Sequence, residues 1–363
     1  MYDAPNTFEA QLGSVCASVR PSDPAFEAAA WERLDLLTKP PRSLGRLEEI
    51  ASRIAGMQRT VRPDVREKAV LLMAADHGVV AQGVSAYPQS VTLEMVRTFA
   101  RGRAAINQIA SSVNARVLVY DVGVAGDTTG IAGIEHRNVA RGTADMTLGP
   151  AMSREQCAQA VLVGVAAARE AAERGASLLG TGEMGIGNTT AAAALTATFT
   201  GAAPEAVVGR GTGLDERGVK RKADVVRTAL DGNRVAELDP LGVLAAVGGL
   251  EIAALAGVVI GAAEEQTPVV VDGFVATAGA LAAVALCAPA GDYLLPSHLS
   301  AEPGHRVALG VLGLKPLLEL DMRLGEGTGA ALAMGLADSA CRMLSGMSTF
   351  SEAGVSAPKS EGS

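Results

Sequence analysis

Very little of this chain is aromatic. Phe, Tyr and Trp together make up 3% of its residues, so a core has to close with Ala, Gly, Val and Leu, as in compact α/β enzymes. Cysteine and histidine are equally sparse, with four of each. Cys16, Cys157, Cys287 and Cys341 are widely separated and form no CxxC pair. That argues against a zinc site or a disulfide framework and fits a reducing cytoplasm. The histidines form no HExxH or other ligand pair, so no metal site is expected. A surplus of positive charge is missing too. The formal net charge is −8, which argues against nucleic acid or an anionic membrane as the main partner. The opening Met1-Tyr-Asp-Ala-Pro5 is neither charged nor greasy, so no targeting leader is expected. The longest apolar stretches, Leu241 to Ala263 and Val275 to Ala290, contain Gly or Glu251 and read as buried helices rather than membrane spans.

What the chain has is a repeated alternation. Short apolar runs end in polar or glycine-rich turns: Ala69–Ala75 before Asp76-His77-Gly78, Arg116–Tyr120 before Asp121, Ala176–Leu179 before Gly180-Thr-Gly-Glu183, and Pro268–Val271 before Asp272-Gly273. Alanine-rich helical patterns lie between them. This predicts an α/β fold, a Rossmann-like parallel sheet with helices on both faces. Ligands of such sheets bind at the carboxyl ends of the strands, where Asp76, Asp121, Glu183 and Asp272 fall. Each of these acids has a plainer alternative, as a helix cap or turn residue. Residues 1–60 show helical patterns around Phe26–Leu37 and Ser43–Met57, with no strand between them. Gly329–Met347 is helical again. Residues 1–60 and 329–350 are expected to form a small helical domain beside a large domain of 61–328. Residues 351–363, rich in Ser, Gly and Pro, are expected to be a disordered tail.

Two glycine-rich segments each present one glutamate: Gly182-Glu183-Met-Gly185-Ile-Gly187-Asn188-Thr189-Thr190, and Gly325-Glu326-Gly327-Thr-Gly329. A glycine-flanked acid costs backbone entropy without improving packing, so it is there to be presented to something. The first segment follows a strand and opens a helix over Ala191–Thr200, with Asn188 or Thr189 as its cap. Exposed amides at such a turn cradle phosphate or carboxylate, although a plain structural turn has the same composition. It is no Walker loop, since no Gly-Lys-Ser/Thr closes it, and Gly185-Ile-Gly187 lacks the third glycine of a dinucleotide fingerprint. Gly209-Arg-Gly-Thr-Gly213 and Lys220-Arg-Lys222 offer basic groups for the same anion, or a solvated helix face. Pro296-Ser-His298-Leu-Ser300-Ala-Glu302-Pro-Gly-His305 is a polar loop before another helix. Gly83-Val-Ser85-Ala-Tyr87-Pro88-Gln89 belongs to a long loop of the kind that closes over substrates.

Taken in order, these segments resemble one family, the nicotinate-nucleotide–dimethylbenzimidazole phosphoribosyltransferases of cobalamin lower-ligand synthesis. The resemblance also takes in Leu37-Thr-Lys-Pro-Pro41 with Ser43-Leu-Gly-Arg-Leu47, Asp76-His-Gly-Val-Val80 and Val271-Asp-Gly273. It runs from about residue 30 to 347 and departs at Arg42, where the family carries a small residue. The resemblance implies transfer of 5-phosphoribosyl from nicotinate mononucleotide to 5,6-dimethylbenzimidazole. Inversion at the anomeric carbon would give α-ribazole 5′-phosphate and nicotinate. It also implies a cytoplasmic homodimer, with no cofactor and no metal, because the donor's ring is already cationic and leaves neutral. Glu326 is implied as the general base and Glu183 as a second active-site carboxylate. Gly185, Gly187, Asn188, Lys222, Asp272 and Ser300 are implied at the phosphate and ribose, and Ser85, Tyr87 and Leu324 at the base. Two rivals stay open at this point: a dinucleotide-dependent oxidoreductase and a non-catalytic nucleotide-binding protein.

Overall fold

The computed structural model describes residues 7–356. Its centre is a sheet of six strands: β1 (Lys68–Ala75), β2 (Ala115–Gly123), β3 (Ile134–His136), β4 (Leu178–Met184), β5 (Val269–Val271) and β6 (Leu294–Pro296). All pairings are parallel and the order is β3-β2-β1-β4-β5-β6. β1 is buried along its whole length, which is why it reads as an unbroken apolar run rather than an alternation. The chain moves outward from β1 through β2 and β3, then returns to the other side of β1 for β4, β5 and β6. The direction therefore reverses between β1 and β4, where Met73 lies opposite Glu183. The crevice beyond the carboxyl ends of two such strands is the ligand site of an open α/β sheet.

Two differences from the sequence reading matter here. The apolar runs do not predict β3 or β6. And the strand expected to stop at Leu179 continues to Met184, so Glu183 stands on a strand end rather than in a glycine turn. β4 tolerates its glycines because other backbone presses on it: a Cβ on Gly182 would lie 2.6 Å from the Glu326 carbonyl oxygen.

Helices Arg154–Glu173 and Leu250–Glu264 pack closely together beside the central strands. Their backbones touch, since a Cβ on Gly257 would overlap the Val161 carbonyl oxygen and one on Gly164 the Ala254 carbonyl oxygen. Gly257→Ala is therefore expected to cost roughly 1–3 kcal/mol by overpacking, read as a lower urea midpoint. Helices Ala105–Ser112 and Thr328–Gly346 touch each other and pack on β2 and on β4 and β5. The apolar stretch from Leu241 is two helices, Pro240–Val247 and Leu250–Glu264, parted at Gly248-Gly249. That break puts Glu251 into the first turn of the second helix. Among the described residues no helix is long and apolar enough to cross a membrane.

At the chain ends, helices Pro24–Leu36 and Arg46–Gln58 pack on each other and on Thr328–Gly346. Arg33 donates to the carbonyls of Leu344 (2.9 Å) and Met347 (3.2 Å). A buried Lys39–Glu48 pair at 3.0 Å ties Lys39, just before Pro40-Pro41, to helix Arg46–Gln58. The first helix, Thr7–Ser18, goes elsewhere. It buries Leu12 and Val15 and lies against Arg154–Glu173 and Leu250–Glu264. Arg42 adopts φ +61°, a left-handed backbone uncommon for a non-glycine residue, and its guanidinium sits 3.7 Å over the Trp31 ring. The tail expected to begin at Ser351 starts with a helical turn, Phe350–Ala353, held by a Thr349–Glu352 capping box. Residues 357–363 lie outside the described residues.

Candidate active site

A cavity of about 500 Å³ opens at the carboxyl ends of β4 and β5, within the usual range for a small-molecule site. Its polar wall begins with Glu183. The β4 backbone carries it to the carboxyl end of the sheet, and Asn188 Nδ2 donates to its Oε2 at 2.5 Å. Burial, with the like charges of Asp272, Glu251 and Glu326 around it, pushes its carboxyl up to about 8 despite that bond. The sequence predicts Asn188 or Thr189 as the cap of the next helix. Instead Gly187 is the N-cap, at φ +95°, and this frees both side chains to face the cavity. Asn188 holds Glu183, and Thr189 Oγ1 accepts from Lys222 Nζ at 2.6 Å.

The second carboxylate arrives on the turn before helix Thr328–Gly346. Gly325, Glu326 and Gly327 are all left-handed, at φ +84°, +62° and +92°. A non-glycine residue is rarely found there, and such strain clusters at functional sites. The turn cannot relax outward, because a Cβ on Gly327 would lie 2.7 Å from Val70 and one on Gly325 would overlap Glu183 Oε1. Gly325 thus leaves room for the Glu183 carboxylate against the turn that carries Glu326. Glu326 Oε2 accepts only a long bond, from Ile106 N–H at 3.4 Å. Burial raises its carboxyl above the usual range; the Ile106 amide lowers it and Asp272 raises it further.

Asp272 does not line the cavity. Its Oδ2 accepts from Gly327 N–H (3.1 Å), and its Oδ1 from Gly329 N–H (2.8 Å) and Ala330 N–H (3.0 Å). The helix starting at Thr328 has no side-chain cap of its own, so Asp272 satisfies its open amides from 55 residues away in sequence. Its position is that of an anchor for the Glu326 turn rather than of a contact to phosphate or ribose.

The other end of the cavity is cationic. Lys222, from helix Glu216–Gly232, is 1% exposed. Burial pulls its ammonium down to about 8, with Glu302 opposing. Arg323 lines the cavity and donates to the Gly211 carbonyl at 3.2 Å. Glu302 Oε1 accepts from Gly211 N–H at 2.9 Å, while its buried Oε2 has no partner. Ser300 also lines the cavity, and its amide is fixed by His305 Nδ1 at 2.8 Å.

Among the residues singled out from sequence, Glu183, Glu326, Gly185, Asn188, Ser300, Tyr87 and Leu324 line the cavity. Tyr87 and Leu324 stand at its mouth, each more than half exposed. Gly187, Lys222, Asp272 and Ser85 are not lining residues. Lys222 lies just behind Thr189 and Gly211, and Ser85 Oγ accepts from Tyr87 N–H at 3.2 Å. The apolar wall is what sequence reasoning misses. Val91 and Met95, one turn apart on helix Ser90–Ala100, join Phe274 and Val275 there. Thr92 on the same helix accepts from Ile186 N–H at 3.1 Å and ties it to the Gly185 turn. The four cysteines are free thiols, and among the described residues no group of three His, Cys, Asp or Glu side chains is arranged to hold a metal ion.

A family model described as a phosphoribosyltransferase matches residues 19–355. The nicotinate-nucleotide–dimethylbenzimidazole phosphoribosyltransferase of Chloroflexus aggregans is 52% identical over 341 residues, 94% of this chain and 97% of that protein. Its namesake from Thermus thermophilus is 54% identical over 92% of this chain and 99% of that protein. The crystal structure of CobT from Thermus thermophilus superposes with a TM-score of 0.89 at 53% identity, covering 92% of this chain and 100% of that one.

Proposed function

The chain belongs to the nicotinate-nucleotide–dimethylbenzimidazole phosphoribosyltransferase family, and on that premise we propose how its cavity moves a 5-phosphoribosyl group. The donor is nicotinate mononucleotide and the acceptor 5,6-dimethylbenzimidazole. The bond from C1′ to the pyridinium nitrogen breaks, and its electron pair leaves with nicotinate as a neutral ring. The bond from C1′ to one benzimidazole nitrogen forms on the opposite face, inverting the centre. The acceptor's other N–H then loses its proton, and the group that takes it is Glu326. A buried carboxylate with a raised proton affinity and one weak hydrogen bond is suited to that role.

Glu183 sits beside it and faces the positive charge of the donor ring and of C1′ as the glycosidic bond stretches. Before the donor binds, at neutral pH, it is largely protonated, given its value of about 8. A cationic ring arriving next to it favours the carboxylate, so donor binding releases its proton. Lys222, Thr189, Arg323 and the Gly185 turn offer the 5′-phosphate its cations and amides. Tyr87, Leu324, Val91 and Met95 supply a flat apolar slot for the benzimidazole. The homodimer and the cytoplasmic setting belong to this same reading.

One observation carries the proposal: two buried carboxylates from distant segments, Glu183 and Glu326, line one cavity together with Arg323, and Lys222 lies just behind its wall. A binding module has no use for a strained glutamate held with almost no hydrogen bonds. The oxidoreductase reading falls with the family assignment, although the strand order is also that of dinucleotide-binding sheets. The test is to mix the protein with nicotinate mononucleotide and 5,6-dimethylbenzimidazole and follow nicotinate release and product mass. A ribazole phosphate that needs both substrates is expected. Donor binding with no transfer to this acceptor would overturn it.

A further inference from the structure

Behind the cavity floor lies a second group of buried ionisable side chains that the reaction above does not use. His77 follows β1 and Glu251 stands in the first turn of helix Leu250–Glu264. His77 Nε2 and Glu251 Oε1 are 2.6 Å apart, with 1% and 0% of the side chains exposed. Glu251 Oε2 is buried without a partner. A half-satisfied carboxylate in the core is costly, and replacing such a pair with apolar residues is often stabilising. Its position suggests what it does instead. A Cβ on Gly185 would meet Glu251 Oε1 at 2.9 Å and Asn188 Nδ2 at 3.3 Å, and one on Gly187 would meet the His77 Cβ at 3.4 Å. On Gly249 it would overlap the His77 ring. The pair therefore lies directly under the Gly185–Asn188 turn, and Asn188 in turn holds Glu183.

We propose that Glu251, braced by His77, is a positioning residue for phosphoribosyl transfer: it supports the Gly185–Asn188 turn from below and places its carboxylate behind the Asn188–Glu183 contact. This rests on the reaction assigned above. The charged groups facing Glu183 are Glu326 from the left-handed turn, Asp272 from the end of β5 and Glu251 from its helix, all of one sign. Asp76, with one carboxylate oxygen unpartnered and the other on Ala125 N–H at 2.9 Å, is the further acid on the His77 side. Removing the charge of Glu251 therefore lowers the proton affinity of Glu183.

The experiment follows kcat/KM for nicotinate mononucleotide against pH, which reports groups in the free protein. The parent, Glu251→Gln, Glu183→Gln and the double variant are compared. The donor's own phosphate titrates at about 6 in every case alike. Glu251→Gln is expected to move the acid limb assigned to Glu183 toward lower pH by roughly one unit. In the Glu183→Gln background it is expected to move nothing, the non-additivity of two coupled groups. Glu251→Ala, which removes the same charge with a smaller side chain, is expected to move the limb the same way and covers the case in which Glu251→Gln fails to fold. An acid limb that stays in place in a folded variant overturns the proposal, as does an equal shift with and without Glu183. If the parent itself releases no nicotinate, the assigned reaction is what has failed.

Discussion

Glu326→Gln is expected to turn over roughly 10²–10⁴-fold more slowly than the parent, the usual loss when a general base goes, and to be no less stable. Both halves come from the same geometry. The glutamate is 6% exposed, sits at φ +62°, and has one hydrogen bond, at 3.4 Å. Glutamine keeps the shape and that acceptor but cannot take a proton. It also relieves the protein of an uncompensated buried charge beside Asp272 and Glu183, so the melting temperature should stay level or rise. A residue with a packing role would show the reverse, with lost stability and near-normal turnover per folded molecule. The sign of the pH dependence follows from the raised carboxyl. The base works only when ionised, so parent turnover falls as pH drops through that raised value, and the residual turnover of the variant lacks this limb. Unchanged turnover in folded Glu326→Gln would remove it from the reaction.

The parts of the fold legible in the sequence are those where composition and environment coincide. β1 is buried along its whole length and reads as one apolar run, β2 and β4 show shorter apolar runs at Val117–Tyr120 and Leu178-Leu179, and β5, though three residues long, is flagged by Val269-Val-Val271 before Asp272. β3 and β6 are three-residue edge strands. Their pairing rests on backbone ladders, which leave little trace in side-chain pattern. For the site, glycine-flanked acids are visible because nothing else explains their cost. The apolar wall is not: Val91 and Met95 follow the spacing of any buried helix face, and only tertiary contact turns that face toward a cavity. Asp272 is visible as a strand-end acid, yet its task depends on helix Thr328–Gly346 arriving beside it. Glu251 carries a signal of its own. One acid within an apolar stretch from Leu241 to Ala263 is expensive to bury, and a residue of that kind calls for a named partner on the pattern of its neighbours alone.

Lys222→Ala is expected to raise KM for nicotinate mononucleotide by roughly 10–100-fold with a smaller effect on kcat. Its ammonium is buried, donates to Thr189 at 2.6 Å, and has no carboxylate within ion-pair distance among the described residues. A buried cation in that state gains most when an anion arrives. A hydrogen bond between charged groups is worth about 1.5–3 kcal/mol, which sets the expected range. Its low proton affinity, about 8, fixes the direction with pH. The cation is present below that value and lost above it, so kcat/KM for the donor has an alkaline limb that Lys222→Ala lacks. Glu183, whose carboxyl is raised, supplies an acid limb to the same profile. Lys222→Met separates charge from packing. It fills the space left by the stem and removes a buried charge, so KM should rise as in the alanine variant while the melting temperature does not fall. A KM that stays at the parent value in either folded variant would detach Lys222 from the phosphate and leave Arg323 and the Gly185 turn to hold it.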